Sequence, residues 1–472
     1  MTFEKIVAAV DDFAWGPVML ILLVGTGLFL SARTGFLQFS KFGYAMRNTI
    51  GKIFKKQQAG KGEVTPFQAM TTALAGTVGT GNIAGVTGAI FIGGPGAVFW
   101  LWVSALVGMV TKYSEVVLAV RFRERNAAGD WVGGPMYYIK NGLGKGWIWL
   151  SFVFAFFGMT ASFGIGNTTQ VDSIATAIGT AVSAFGGDSA NMTFRIIIGV
   201  IVALLAAVVI IGGIKRIGSV TEKLVPAMAV IYIVAALFVV FGNIGQIGAV
   251  LSAIFTGAFS PSAIAGGALG VGIMTTIQKG IARGVFSNEA GLGSAPIAHA
   301  ATSETDPVKQ GVYGIFEVFM DSIVICTLTS LSLLMGLSAQ FGIDGIDWGV
   351  SHGSEMVVQA FSGIFGGKIA AVVIAVGLSL FAFSTILSWA LYGSRCVEFM
   401  FGRFSKPATL VYKVIFCVIL VIGSTLGLDI VWDIGDALNG LMAIPNLIAL
   451  LLLSGTIVGI TKEHFANGQN LK

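Results

Sequence analysis

The chain has 472 residues, of which 55% are hydrophobic and only 11% charged; its mean hydropathy is +0.87 and its net charge +5. Soluble domains carry about 25% charged residues, so the composition excludes a soluble globular protein and points to an all-α protein that crosses the lipid bilayer many times. The apolar runs are too long and uniform for a β-barrel, and the basic residues sit mostly in short loops, so the charge signals membrane topology and no nucleic-acid partner.

Eleven membrane spans are expected, over residues 15–32, 66–91, 97–120, 148–178, 195–214, 219–241, 262–282, 309–336, 367–393, 408–427 and 434–460. Each is about 20 residues or longer, enough to cross the hydrocarbon. The fourth is long enough to tilt. Residues 242–260 are apolar but broken by Gly245, Gly248 and Gly257, and are expected as a surface helix. The opening residues MTFEKIVAAVDDFAWG are acidic before the first run and lack the basic region of a cleavable signal.

Orientation follows from the loops. Arg33, Lys41, Arg47, Lys52, Lys55, Lys56 and Lys61 follow the first span, and Arg121, Arg123, Arg125, Lys140 and Lys145 follow the third. Lys215 and Arg216, then Lys279, Arg283 and Lys309, then Arg395, Arg403 and Lys406 extend the series on the same side. The opposite loops hold Asp188, Asp344, Asp347, Glu355, Asp429 and Asp433. The N-terminus is therefore expected outside and the C-terminus in the cytoplasm, in the plasma membrane, or in the inner membrane of a Gram-negative cell.

With the first span set aside as peripheral, two sets of five remain. An odd number of helices in each set inserts them with opposite orientation, an inverted repeat. The expected organisation is a peripheral helix and cytoplasmic connection over 1–64, a first five-helix repeat over 65–241, and a second repeat with a cytoplasmic tail over 242–472. Each repeat is expected to begin on a helix interrupted by glycine. The first interruption reads Ala75-Gly76-Thr77-Val78-Gly79-Thr80-Gly81-Asn82, and the second is expected at Gly266–Gly272. Glycine weakens a helix by about 1 kcal/mol relative to alanine. Unwound backbone inside a bilayer is tolerated only where it lines a cavity or is buried in protein. Paired breaks of this kind point to a transporter's binding site.

Three cysteines and three histidines form no zinc or disulfide pattern. No Gly-Lys-Ser/Thr phosphate loop, HExxH motif or serine elbow occurs, so neither ATP-driven transport nor an enzyme is expected. Gly79-x-Gly81 lacks a third glycine in the dinucleotide register. The rival from another class is an ion channel, which calls for a symmetric oligomer and filter-like carbonyl rings.

Several blocks resemble the alanine or glycine:cation symporter family. They are Thr77–Val86 followed by Gly93-Gly94-Pro95-Gly96-Ala97-Val98-Phe99-Trp100, then Gly133-Gly134-Pro135-Met136-Tyr137-Tyr138-Ile139, Gly284–Pro296, and Ser384-Thr385 with Trp389. The resemblance covers nearly the whole chain. It implies a leucine-transporter-like fold and sodium-coupled symport of small neutral amino acids, alanine and glycine, with sodium as the co-transported ligand and no organic cofactor. Coupling to protons is the alternative.

The chemistry of such a site can be read from the residues. A restarting half-helix near Thr80 to Ile83 offers free N–H groups to a carboxylate. Gly79 and Gly81 let substrate approach the backbone. Thr77, Thr80 and Asn82 add polar groups that a plain glycine packing seam does not need, although that seam is the competing reading. Gly272 and Thr276, in the stretch Gly270–Thr276, are expected to complete the pocket. Gln170 and Asn167 share a face of the fourth span, where they either bind substrate or bridge helices. The resemblance implies that Trp389 lines the substrate site. It also implies a sodium site in which the hydroxyls of Ser384 and Thr385 oppose the carbonyls of Ala75 and Val78. Without it, local bonding of those hydroxyls to their own helix is the alternative. Lys112 and Glu115 are spaced to pair. Glu317 and Asp321, like-charged and four apart, are expected to meet Lys279 and Arg283. The competing readings there are a structural ion-pair network and a proton-sensing or second cation site.

Overall fold

The computed structural model describes residues 3–52, 58–189, 191–260, 272–348, 353–426 and 429–469. A surface helix α1 (Phe3–Ala14) leads into α2 (Pro17–Arg33), the peripheral first span. The first set of five begins with a broken helix, α3 (Pro66–Thr77) and α4 (Ala84–Gly93). It continues through α5 (Ala97–Arg121), the interrupted pair α6 (Ile148–Phe163) and α7 (Thr169–Ala184), α8 (Met192–Ile210) and α9 (Gly213–Gly242). A short apolar helix α10 (Ile247–Phe259) follows, where a surface helix is expected from the sequence.

The second set begins with α11 (Ile273–Asn288) and the one-turn α12 (Ala295–His299). Next come α13 (Pro307–Val318) and α14 (Thr327–Phe341), joined by a π-helical turn over Phe319–Cys326. The short α15 (Ser354–Phe365) precedes α16 (Gly367–Phe401), α17 (Ser405–Leu426) and α18 (Asp429–Leu452), and α19 (Ser454–Gln469) closes the described chain. Among the described residues, eight helical stretches are long and apolar enough to cross a membrane, nine if the bent pair α3–α4 counts as one span. One of the eight, Gly367–Thr425, contains both α16 and α17.

The start of α3 is written in its sequence. Thr65 and Gln68 form a reciprocal capping box at 3.1 Å each way, with Pro66 in the first turn, where its missing N–H costs nothing. The helix stops at Val78, whose ψ of 94° leaves the helical region, and Gly79 is extended. The two halves bend by 57°. Asn82 holds the turn, its Oδ1 accepting from Gly79 N–H at 2.8 Å.

Residues 261–271, which include most of the expected Gly266–Gly272 break and the start of the span expected at 262–282, lie outside the described residues. The described helix runs uninterrupted over Ile273–Asn288. The unwound stretch is Glu289–Ser294, where Glu289, Gly291 and Gly293 all take positive φ (53°, 96° and 83°). That stretch hangs on Glu115 of α5, whose Oε1 accepts from the N–H groups of Gly291 (3.0 Å) and Gly293 (3.1 Å) and from Asn446 on α18 (2.6 Å). A carboxylate here supplies what an unwound turn inside a membrane lacks, acceptors for its freed N–H groups.

Candidate functional site

The fourth span carries its own interruption. Between α6 and α7 the chain makes a π-helical turn over Gly164–Thr168, a feature that recurs at functional sites. Close packing accounts for its glycines: a methyl on Gly164 would strike the backbone of Gly435, and one on Gly166 would strike Trp389. The wide turn frees the Ile165 carbonyl, which accepts from Thr169 Oγ1 and from Gln170 Nε2, both at 2.8 Å. The Gln170 amide nitrogen is thus used, and its Oε1 is buried without a partner. That oxygen looks toward the first break, 3.5 Å from where a Cβ on Gly79 would stand.

The same side of Gly79 faces Thr385 on α16, whose Oγ1 would lie 2.5 Å from that Cβ. Thr385 Oγ1 is 3.0 Å from Ala75 O, 3.5 Å from Val78 O and 3.1 Å from Phe381 O. Ser384 Oγ is 3.4 Å from Ala75 O and 2.8 Å from Phe381 O. A hard cation about 2.4 Å from each oxygen sets neighbouring ligands about 3.4 Å apart. Three carbonyls and two hydroxyls at such separations fit one small cation, and the absence of a carboxylate from this set suits a single charge. The bonds to Phe381 O, three and four residues back, are the local bonding of Ser384 and Thr385 to their own helix, so the same hydroxyls meet both that carbonyl and those of the break.

Outward from the break, toward the Gly93 end of α4, a cavity of about 420 Å³ is lined by Thr80, Gly81, Arg283 and Phe286 among others. A methyl on Gly81 would stand 3.3 Å from the Phe286 ring, so this glycine is where the two broken helices meet. Thr77 Oγ1 is bonded back to Leu74 O at 3.1 Å. Asn82 Nδ2 donates to Ser287 Oγ (2.9 Å) and Asp321 Oδ1 (2.6 Å), tying the first break to α11 and to the π-turn after α13. Trp389 donates its indole N–H to Glu289 Oε1 at 3.0 Å and so links α16 to the second break.

Some expected members lie elsewhere. Thr276 Oγ1 donates to Gly93 O at 2.7 Å, and Gly272 is exposed at the start of α11. Twelve residues separate Thr276 from Asn288, about 18 Å along a helix, so neither Gly272 nor Thr276 reaches the turn at Gly79. Lys279 packs beside Gly93 and Arg283, one turn further along α11, beside Gly85, so both lie along α4. They do not meet the carboxylates of span eight: Glu317 bonds His299 at 2.5 Å, and Asp321 bonds Asn82, Ser287 and Ser322. Lys112 and Glu115 make no ion pair, since Lys112 Nζ is buried with no hydrogen-bond partner. Asn167 Nδ2 donates to Phe416 O at 2.8 Å, a bridge to α17. Glu289 was not singled out from the sequence, although its place in Asn288-Glu289-Ala290-Gly291 marks it as polar beside a break.

Two broken helices packed against each other, with unpartnered polar groups at the breaks, define a secondary transporter of the leucine-transporter-like fold. A solved structure, that of MhsT in complex with L-phenylalanine, has the same fold at a TM-score of 0.62, with 16% identity over 85% of this chain and 99% of that one. The sodium:alanine symporter family matches residues 1–472, and the chain belongs to that family. Among its relatives, the sodium/alanine symporter AgcS of Methanococcus maripaludis is 45% identical over 98% of this chain and 97% of that protein. A probable sodium/glutamine symporter, GlnT of Bacillus subtilis, is 35% identical over 98% of this chain and 90% of that protein. The chain is thus a multi-pass membrane transporter, not an enzyme, and it moves an amino acid together with sodium.

Proposed function

We propose that this transporter carries small neutral amino acids, alanine and glycine, into the cell with sodium, around a site formed by the first break, Gln170 and α16. The observation that carries the reading is the buried, unpartnered Gln170 Oε1 beside Gly79. An acceptor left bare inside a membrane protein costs about 1–3 kcal/mol unless something donates to it. A substrate ammonium group does so. The N–H groups of Thr80 and Gly81 then receive the carboxylate, since that of Asn82 is given to Gly79 O. Sodium sits next to it, among the oxygens of Ala75, Val78, Phe381, Ser384 and Thr385. Thr77, Thr80, Gly81 and Asn82 shape the turn, and Trp389 packs behind it. Alternating access follows when one bundle rocks against the other. The basic loops face the cytoplasm, with the N-terminus outside the plasma membrane and the C-terminus within.

The test is uptake into proteoliposomes of labelled alanine, glycine and glutamine, with sodium or proton gradients imposed separately. Saturable alanine or glycine uptake driven by sodium is expected. Preference for glutamine, or uptake that follows the proton gradient alone, overturns the assignment of substrate or of ion.

A further inference from the structure

Toward the basic-loop side of the second break lies a second buried polar group, which the transport reading does not use. His299 on α12 and Glu317 on α13 are both buried, and His299 Nε2 lies 2.5 Å from Glu317 Oε1. Their hydrogen bonds fix where the protons are. Thr302 Oγ1 accepts from Glu304 N–H at 3.1 Å, so its own hydrogen goes to Gln310 Oε1 at 3.0 Å. That orients the Gln310 amide, whose Nε2 donates to His299 Nδ1 at 2.8 Å. Nδ1 therefore accepts, and Nε2 donates to Glu317 Oε1. The other carboxyl oxygen, Glu317 Oε2, is buried and has no partner.

We propose that His299 and Glu317 form a proton-binding site, with Glu317 Oε2 as the atom that takes the proton. His299 meets Oε1, but Oε2, buried in the membrane interior, has no hydrogen-bond partner. Adding H⁺ there makes a neutral acid and leaves every other bond of the chain intact. Adding it to His299 Nδ1 would break the bond from Gln310. The surroundings also favour a proton here. Lys112 is the only buried lysine or arginine among the described residues, and Glu115, Glu289, Asp321 and Glu317 are all buried around the same break. One amine against four carboxyls leaves the region short of positive charge.

The neighbours can be named element by element. Helix α5 brings Lys112, Tyr113 and Glu115; α16 brings Tyr392; the unwound stretch brings Glu289; the π-turn brings Asp321 and Cys326. Helix α13 itself carries Lys309 and Tyr313, and α3 contributes no titratable group. Toward the basic-loop side stand Arg123, Glu304, Asp306, Tyr44, Arg47, Lys462, Glu463 and His464. Tyr392, whose hydroxyl is also buried without a partner, lies within electrostatic range of Glu317. It is seven residues beyond Thr385 on α16, about 10 Å along the helix. The pair therefore stands between the cation residues and the loop at Ala300–Glu304, whose carbonyls Arg123 holds. With the proton bound, this side stays dry and closed. When the proton leaves to water on the loop side, the bare carboxylate draws water in and favours opening.

The test has two arms. Infrared difference spectra of the purified protein, between about pH 6 and about pH 8, should show a protonated-carboxyl carbonyl band that E317Q lacks. This arm needs no transport. The second arm rests on the sodium-driven reading: alanine uptake, with pH equal on both sides, should rise roughly three-fold or more over that interval in the wild type. E317Q should stay flat at the slow rate, because an amide copies the neutral acid. H299Q, which keeps the carboxyl, should shift the midpoint and serves if E317Q does not fold. An identical carbonyl band in wild type and E317Q, or one pH profile shared by the wild type and both variants, overturns the proposal.

Discussion

Gln170 turns its amide oxygen toward Gly79 because its amide nitrogen is already committed to Ile165. The commitment comes from the π-helical turn, which takes the Thr169 N–H to Gly164 O and leaves the Ile165 carbonyl to side chains. Thr385 Oγ1 borders the same empty Cβ position on Gly79. The space that a side chain on Gly79 would fill is thus shared by the proposed acceptor for the amino acid and the hydroxyl proposed for sodium, so each ligand feels the other.

Replacing Gln170 with Ala removes the acceptor and leaves the Ile165 carbonyl to Thr169. Alanine affinity should weaken by about 1–3 kcal/mol, roughly five- to hundred-fold. The measurement is binding of labelled alanine to purified protein at saturating sodium. Unchanged affinity would make Gln170 a residue that braces the π-turn and nothing more.

A methyl at Gly79 meets Thr385 Oγ1 before anything else. The backbone there is extended, so alanine brings no conformational strain, only the close contact. Gly79→Ala should therefore push the Thr385 hydroxyl away from Ala75 and raise the half-saturating sodium concentration of alanine uptake by about ten-fold. Gly25→Ala, where an added Cβ meets nothing within 4 Å, is the control. If both variants behave as the wild type, Thr385 does not depend on that gap.

Much of this site was legible in the sequence, and the reasons for the rest are physical. The first break is legible in the glycines of Ala75–Asn82, and the helix does stop at Val78; the Thr65 cap that starts it was not read from the sequence. Ser384 and Thr385 came from the family resemblance, and their carbonyl partners Ala75 and Val78 lie at the expected places. The expected Gly266–Gly272 break lies outside the described residues, but the unwinding at Glu289–Ser294 has no glycine-rich signal of its own. There Glu289, Gly291 and Gly293 take positive φ, and the N–H groups of Gly291 and Gly293 find Glu115, a partner on another helix that no local pattern reveals. Lys112 and Glu115 do share a neighbourhood, but tertiary partners take the carboxylate: Glu115 bonds backbone N–H groups and Asn446, and Lys112 Nζ makes no hydrogen bond.

At the basic-loop side, Asp306 joins two helices. Its Oδ1 caps α13 through the N–H groups of Val308 (2.9 Å) and Lys309 (3.3 Å), and its Oδ2 bonds His464 of α19 at 2.8 Å. Burial pushes its carboxyl up, but the His464 hydrogen bond and charge and the two backbone N–H groups outweigh that and hold it below the ordinary carboxylate value. A carboxyl depressed in the folded state contributes stability that is fully present above its unfolded value and is lost as pH falls through the folded one. The thermal midpoint in detergent should therefore drop as pH falls below about 4. Asp306→Asn, which still caps a helix, should flatten that part of the curve. An identical acid limb in wild type and D306N would remove Asp306 as its source.

Sodium held among Ala75, Val78, Phe381, Ser384 and Thr385 would bridge α3 of the first repeat and α16 of the second. An ion placed between two elements that move apart favours the arrangement in which both contribute ligands, by the difference in its affinity for the two states. Linkage then requires that sodium tighten alanine binding and that alanine tighten sodium binding by the same factor. Removing one hydroxyl should cost the cation about 1–3 kcal/mol, roughly five- to hundred-fold in the sodium required. Thr385→Ala should cost more than Ser384→Ala, because Thr385 Oγ1 approaches all three carbonyls and Ser384 Oγ only two. The amino acid's own contacts survive in both variants, so alanine affinity at saturating sodium should stay near the wild-type value. The check is a sodium titration of alanine uptake and of alanine binding in each variant. Normal half-saturating sodium and normal maximal uptake in both would move the cation away from these two hydroxyls.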